Sequence, residues 1–291
     1  MRNNNEKNEA AITLRLTEEE SYNLMHGQNA EWTGEEYELI GQLSTVVGTR
    51  KNQQDSCYVN VDGGTNAVAI VCDGMGGLEG GEIASQSAVQ MFIEDFEEIR
   101  YTEHNFYSFF CNEMVRVDAM VADLENEQGE LLSAGTTLSA VAVVDGYLQF
   151  ISVGDSKIYI IRGNEMACLN REHNYLLLLN EQLLNGEITE EEYAREQKRG
   201  AALISYIGMG NVHLMDANPE PWKLENGDII IVCSDGLYKA LNEEQIYTIV
   251  KKNPINLEKT LQELQEEAHR SSPRVQDNTS IVMLSYRKKN I

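Results

Sequence analysis

The sequence has no run of about 18 apolar residues, so it offers no candidate transmembrane helix. Its start, MRNNNEKNEAAITLRL, lacks the apolar stretch of a secretory signal. None of its five cysteines (Cys57, Cys72, Cys111, Cys168, Cys233) sits in a C-x-x-C pair. An odd, scattered set argues against a disulfide framework and for a reducing cytoplasm, with Cys72 and Cys233 acting as small hydrophobes inside apolar runs. Only four prolines occur (Pro219, Pro221, Pro254, Pro273), and none marks a long linker; internal repeats and low-complexity tracts are absent too. Several catalytic signatures are missing: there is no G-x-S-x-G elbow and no C-x₅-R phosphate loop, and the glycine-rich GLEGGE lacks the G-K-[ST] of a P-loop. Basic residues are scarce, 23 Lys and Arg against 47 Asp and Glu, for a net charge of -24. Such a chain repels nucleic-acid phosphates and anionic lipid, which argues against both as partners. The surplus carboxylates either form a solvated surface or gather to hold cations, and composition does not choose between these.

What is present suits a globular protein. Over 291 residues, 42% hydrophobic content is enough for a sizeable core. Residues 1–35 are polar and acidic and read as an extension, with Thr17 and Glu20 as a helix capping box. From Tyr37 the pattern becomes β-like through YELIGQLSTVV, SCYVNV and NAVAIVCDG, with Gly63-Gly64 as a hairpin turn. Ala84, Ala88, Phe92, Phe96 and Ile99 then recur every three or four residues, which predicts one helix face. A second helix is expected over about Phe106 to Leu124, followed by strands with turns at Asp145-Gly146 and Gly163-Asn164. Residues 174–203 read as helical and charged. DIIIVCSDG reads as a strand, and two late helices follow, the second carrying Leu257, Leu261, Leu264 and Ala268. TSIVMLSY reads as a closing strand. The order does not alternate strictly between strand and helix, so antiparallel sheets with segregated helix pairs fit better than a doubly wound sheet. One domain is expected over 36–291.

Two apolar runs, ending VCDG at Asp73-Gly74 and VCSDG at Asp235-Gly236, stop at an aspartate followed by a glycine. A strand end lifts a side chain to the sheet rim, glycine permits a sharp turn there, and aspartate supplies hard anionic oxygens. Several such ends at one rim would make an oxygen-lined cage for Mg²⁺ or Mn²⁺. Any single Asp-Gly is otherwise just a turn, as at Asp145-Gly146. In order along the chain stand RKNQQDS with Arg50 and Asp55, VCDGMGG with Asp73 and Gly74, VGDSKIYI with Asp155, VCSDGL with Asp235, and DNTSIV with Asp277. From roughly Gly41 to Tyr286 this series resembles the metal-dependent serine/threonine protein phosphatases of type 2C, in their bacterial form.

The resemblance implies an α+β fold, a four-layer αββα sandwich of two central antiparallel sheets flanked by helix pairs. It implies two Mn²⁺ or Mg²⁺ ions with Asp73 bridging both, the Gly74 carbonyl on one, Asp235 and Asp277 completing a shell, and Asp55 beside the centre. Asp155 resembles the ligand of a weaker third ion, with a turn cap as its alternative. Arg50 resembles the phosphate-binding arginine, and a guanidinium can grip two phosphoryl oxygens at once. The implied reaction is hydrolysis of phosphoserine and phosphothreonine in proteins by a water between the metals, with Arg50, Asp73 and Asp235 in catalytic roles. The implied setting is a cytoplasmic monomer that reverses a cognate serine/threonine kinase. Departures from the family pattern are the neutral Gln54, Met75 where eukaryotic relatives carry a histidine and bacterial ones commonly a methionine, and Glu172 in NREHN, which leaves His173 as a structural anchor. NGEITEEEYAREQ resembles a substrate-selecting flap, within about 174–203, and reads alternatively as an exposed acidic helix. The other functional class is a catalytically weak, phosphatase-like regulatory or binding protein. The presence of Arg50, Asp55, Asp73, Asp235 and Asp277 together favours the enzyme.

Overall fold

The computed structural model describes residues 36–289 apart from 63, 77–79, 101, 104 and 127. The extension over 1–35, with its Thr17 and Glu20 cap, lies outside the described residues, as does Gly63 of the first hairpin turn.

Two antiparallel sheets stack face to face. One has the order β1 (Tyr37–Val46), β12 (Thr279–Lys288), β11 (Asp228–Cys233), β7 (Lys157–Arg162), β8 (Glu165–Cys168). The other has the order β10 (Trp222–Lys223), β6 (Tyr147–Val153), β5 (Leu138–Val144), β3 (Asn66–Gly76), β2 (Asp55–Asp62), with β4 (Ala134–Thr136) paired to β3 and β9 (Asp216–Ala217) paired to β6. The helices are α1 (Gly80–Ile99), α2 (Tyr107–Ala122), α3 (Tyr175–Leu184), α4 (Glu190–Glu196), α5 (Asp235–Tyr238), α6 (Glu243–Lys252) and α7 (Leu257–Ser271). Among the described residues no helix is long and apolar enough to cross a membrane.

The run AVAIVC explains the layering. Both faces of β3 are buried, so the strand needs no polar alternation. Val68, Ile70 and Cys72 point to α1 and α2, where Ala84, Ala88, Phe92 and Phe96 pack with Phe106 and Phe110. Ala69 and Val71 point the other way, into a middle layer with Val141, Phe150, Ile230, Val232, Val282 and Leu284. On the far side Ile229, Ile231 and Met283 meet Leu257, Leu261, Leu264 and Ala268 of α7 and Ile246 and Val250 of α6. The order is helix pair, sheet, sheet, helix pair, the expected αββα sandwich. Each fully buried Phe or Leu side chain contributes about 1.5–3 kcal/mol of transfer free energy to holding these layers together. The Asp145-Gly146 turn has φ of 52° and 74°, the left-handed pair that a two-residue hairpin demands.

Candidate active site

At one end of the sandwich β2 and β12 begin, β11 ends, and the chain crosses from β6 to β7. The two-sheet stack therefore brings residues from distant parts of the sequence to a common rim. Asp55, the first residue of β2, lies directly opposite Asp73 of β3 in the strand register. Like charges in that relation repel. Burial pushes the Asp55 carboxyl up to about 6; Ser234 and Ser280 oppose the shift, while Asp235 and Asp277 add to it. Asp73 is raised well above the carboxylate range, first by burial and then by Asp55, Asp235, Asp155 and Asp277. Asp155, in the crossing between β6 and β7, is raised to about 6 by burial and by Asp235, with Lys239 opposing. These mutual influences put the five expected carboxylates in one electrostatic neighbourhood.

Neither Asp-Gly pair is a turn, and the first does not end its strand, which corrects the reading from sequence; the second run does end just before its aspartate. β3 runs on through Asp73 and Gly74 to Gly76, with Gly74 paired to Thr136 of β4. β11 ends at Cys233, Ser234 takes the N-cap position and Asp235 opens α5. Neither Gly74 nor Gly236 has a positive φ. Both are glycine because other backbone comes too close for a side chain. A Cβ on Gly74 would lie 2.0 Å from the Gly81 carbonyl oxygen and 2.5 Å from that of Gln54. A Cβ on Gly236 would lie 2.1 Å from the Asn278 carbonyl oxygen and 2.4 Å from Thr279 Oγ1. The first glycine lets α1 and the approach to β2 close on β3; the second lets α5 close on the start of β12.

Arg50 follows β1, and its guanidinium donates to Asp277 Oδ2 at 2.6 Å. Its side chain is 60% exposed, so the pair faces solvent. The loop that carries it is tied to the start of β12 by Asn278. The Asn278 side-chain oxygen accepts from Gln54 N at 2.8 Å, and its amide donates to the carbonyls of Val47 (2.9 Å) and Asn52 (3.0 Å). Asp235 Oδ2 accepts from the Lys239 ammonium one helical turn on. Asp55 Oδ2 accepts from Ser234 Oγ at 2.7 Å, and Thr137 Oγ1 accepts from Asp73 N at 2.9 Å. Ser234, Thr137, Asn278 and Lys239 were not singled out from the sequence. Ser234 and Asn278 stand beside a quoted aspartate and Lys239 four residues after Asp235, whereas Thr137 is far in sequence from Asp73 and carried no such signal.

Among the described residues no group of three or more His, Cys, Asp or Glu side chains is gathered tightly enough to hold an ion as it stands. The expected cage is therefore not closed. Three of the five carboxylates rest on protein donors instead: Asp55 on Ser234, Asp235 on Lys239 and Asp277 on Arg50. The residues nevertheless fit a divalent cation. Asp55 Oδ1 and Asp235 Oδ1 are buried with no hydrogen-bond partner, a costly state for a carboxylate unless positive charge faces it. An all-oxygen donor set of this charge suits Mg²⁺ or Mn²⁺.

The surrounding residues separate structure from site. His173 is fully buried; its Nδ1 accepts from Gly154 N at 3.1 Å and its Nε2 faces Asp216 Oδ1 at 3.4 Å. It is an anchor, as its place in NREHN suggests. Glu172 pairs with Lys157 at 3.0 Å. Over 174–203 lie α3, α4 and a short 3₁₀ turn, Gln197–Arg199. This stretch is closed on itself by Tyr175 N to Ala202 O (2.8 Å) and Leu176 N to Gly200 O (2.9 Å), and α4 buries none of its residues.

A guanidinium beside clustered hard anions is the equipment of metal-assisted phosphoester hydrolysis. The chain belongs to the protein phosphatase 2C family, which matches residues 47–274, and it is accordingly a protein serine/threonine phosphatase. The protein phosphatase PhpP of Streptococcus pneumoniae is 31% identical over 214 residues, covering 72% of this chain and 83% of that protein. A serine/threonine phosphatase stp of Listeria welshimeri is 27% identical over 204 residues, covering 69% of this chain and 79% of that protein. The structure of the S. agalactiae serine/threonine phosphatase aligns with a TM-score of 0.69 at 30% identity, over 84% of this chain and 98% of that one. The catalytic domain of PstP in complex with two manganese ions has the same fold, with a TM-score of 0.67 at 22% identity over 86% of this chain and 99% of that one.

Proposed function

We propose that this phosphatase works with two divalent ions, Mn²⁺ or Mg²⁺, held by Asp55, Asp73, the Gly74 carbonyl, Asp235 and Asp277, and that Arg50 binds the phosphoryl group. The observation that carries this reading is the pair of buried, unpartnered oxygens, Asp55 Oδ1 and Asp235 Oδ1, with the Asp235 charge adding to the upward shift that burial imposes on Asp55. The manganese in the PstP structure supports the same choice of ion. When bound, the ions supply an activated water and positive charge against the phosphoryl oxygens.

The protein's own part is placement. Asp73 and Asp55 face each other across two hydrogen-bonded strands, which fixes their separation. Ser234 orients Asp55 through Oδ2 and leaves Oδ1 free. Asp277 keeps the Arg50 guanidinium at the rim. From there Arg50 can turn to two oxygens of an incoming phosphate and offset the charge that builds on them. The exposure of Arg50 suits a phosphorylated serine or threonine carried on a protein surface, the substrate class of the relatives' names.

The natural counterpart in this reading is a serine/threonine kinase whose marks the enzyme removes, in the cytoplasm and as a monomer. The catalytic domain spans 36–291, and 174–203 acts as a flap that selects protein substrates. The test is release of phosphate from a phosphothreonine peptide after EDTA treatment and dialysis. Activity is expected to vanish and to return with Mn²⁺ or Mg²⁺. Turnover that survives chelation unchanged would reject the reading.

A further inference from the structure

Lys239 introduces a positive charge into the acidic centre that the family resemblance did not foresee. It lies one turn after Asp235, at the end of α5, and its ammonium donates to Asp235 Oδ2. The other oxygen of the same carboxylate, Oδ1, is buried and has no hydrogen-bond partner. Asp235 is thus divided, with one oxygen on the half-exposed Lys239 ammonium and the other left open. The preceding residue, Tyr238, hydrogen-bonds the Asp155 backbone, so α5 carries Lys239 to the neighbourhood of Asp155. Burial works against the ammonium's charge, but Asp235, Asp155 and Asp73 together hold its pKa above the ordinary lysine value. From the other side, Lys239 is the charge that opposes the upward shift of Asp155. Asp155 is buried, and the Tyr238 hydroxyl donates to its backbone carbonyl at 3.0 Å, which ties the β6–β7 crossing to α5.

We propose that the Lys239 ammonium stands in for a third divalent ion between Asp235 and Asp155, so that this enzyme takes up two ions rather than three. This rests on the two-ion reading of the site. A tethered ammonium offsets the Asp235 and Asp155 carboxylates, and it repels a further dication from the same place. Asp155, expected from the family resemblance to hold a weak third ion, becomes a partner of the lysine's field instead. Asp235 Oδ1 remains for one of the two ions.

The test counts bound Mn²⁺ by equilibrium dialysis at millimolar free Mn²⁺. It uses EDTA-stripped full-length protein, the variants Lys239→Gln and Lys239→Arg, and the double variant Lys239→Gln with Asp155→Asn. Wild type and Lys239→Arg are expected to hold two ions, Lys239→Gln three with the last one weakest, and the double variant two. The metal-free Lys239→Gln protein is also expected to melt below wild type, because Asp235 Oδ2 loses its partner. Three ions in wild type, or two in a folded Lys239→Gln protein, would overturn the proposal while leaving the two-ion site standing. Failure of wild type to bind any Mn²⁺ would overturn the site reading and this proposal together.

Discussion

Replacing Gly236 with alanine tests why the second Asp-Gly pair exists. The new Cβ would sit 2.1 Å from the Asn278 carbonyl oxygen and 2.4 Å from Thr279 Oγ1. Ordinary contact begins near 3.4 Å, so α5 and the start of β12 must part by roughly 1 Å. Asp235 opens α5 and Asp277 immediately precedes Asn278, so the movement opens the site between two of its carboxylates. A misplacement of about 1 Å in a catalytic group costs on the order of 100-fold in rate, and overpacking of this kind costs about 1–3 kcal/mol of stability. For a domain of this size that stability loss is a melting point roughly 2–12 °C lower. Gly64→Ala is the control. It has open space around it but a φ of +74°, so it is strained without touching the site. Both variants should melt lower than wild type, but only Gly236→Ala should lose kcat/KM on p-nitrophenyl phosphate by about two orders of magnitude. A Gly236→Ala enzyme with activity within a few-fold of wild type would show that the close approach is not what holds the site together.

Three further outcomes follow. In EDTA, Asp55 and Asp155 have folded pKa values near 6 against 3.8, so the folded state holds their protons more tightly than the unfolded chain. Stability of the metal-free protein must then fall as pH rises from about 4 through about 6, by up to ~3 kcal/mol for a two-unit shift. Saturating Mn²⁺ should flatten the slope. The buried Glu113, raised to about 7, adds a slope of the same sign that Mn²⁺ does not alter. A metal-free melting temperature that is flat or rising between pH 5 and 7.5 would contradict this. Arg50→Ala should lower kcat/KM on a phosphothreonine peptide by roughly 10- to 100-fold, mainly through KM, the loss of about 1.5–3 kcal/mol of charged hydrogen bonding; unchanged kcat and KM would remove Arg50 from the phosphate site. Phe92→Ala, which empties a fully buried position among Phe96, Phe109 and Phe110, should cost about 3–5 kcal/mol in urea unfolding without changing Mn²⁺ affinity; a loss below about 1 kcal/mol would mean that this layer is not tightly packed.

The layers were legible because their signals are local. The period of Ala84, Ala88, Phe92 and Phe96 marks a helix face, and the unbroken AVAIVC marks a strand buried on both sides. The short strands β9 and β10 escaped notice, since two residues carry no period. At the site, the residue types in the motifs named the carboxylates, and the sheets bring them to one rim. The reason for the glycines was not legible. It lies in approaches between Gly74 and Gly81 or Gln54, and between Gly236 and Asn278, that exist only in three dimensions. For the same reason the sequence could not show that Arg50 rests on Asp277, that Ser234 orients Asp55, or that Lys239 turns back to Asp235.

The central claim is that the carboxylate rim is a two-ion site centred on Asp73. Anomalous diffraction from crystals grown with Mn²⁺ addresses it directly. The account predicts two manganese peaks about 3.5–4 Å apart, both in contact with the Asp73 carboxylate, one facing Asp55 Oδ1 and one facing Asp235 Oδ1. Well-diffracting crystals with no manganese at this rim, or with manganese held elsewhere and Asp235 Oδ1 still unpartnered, would contradict it.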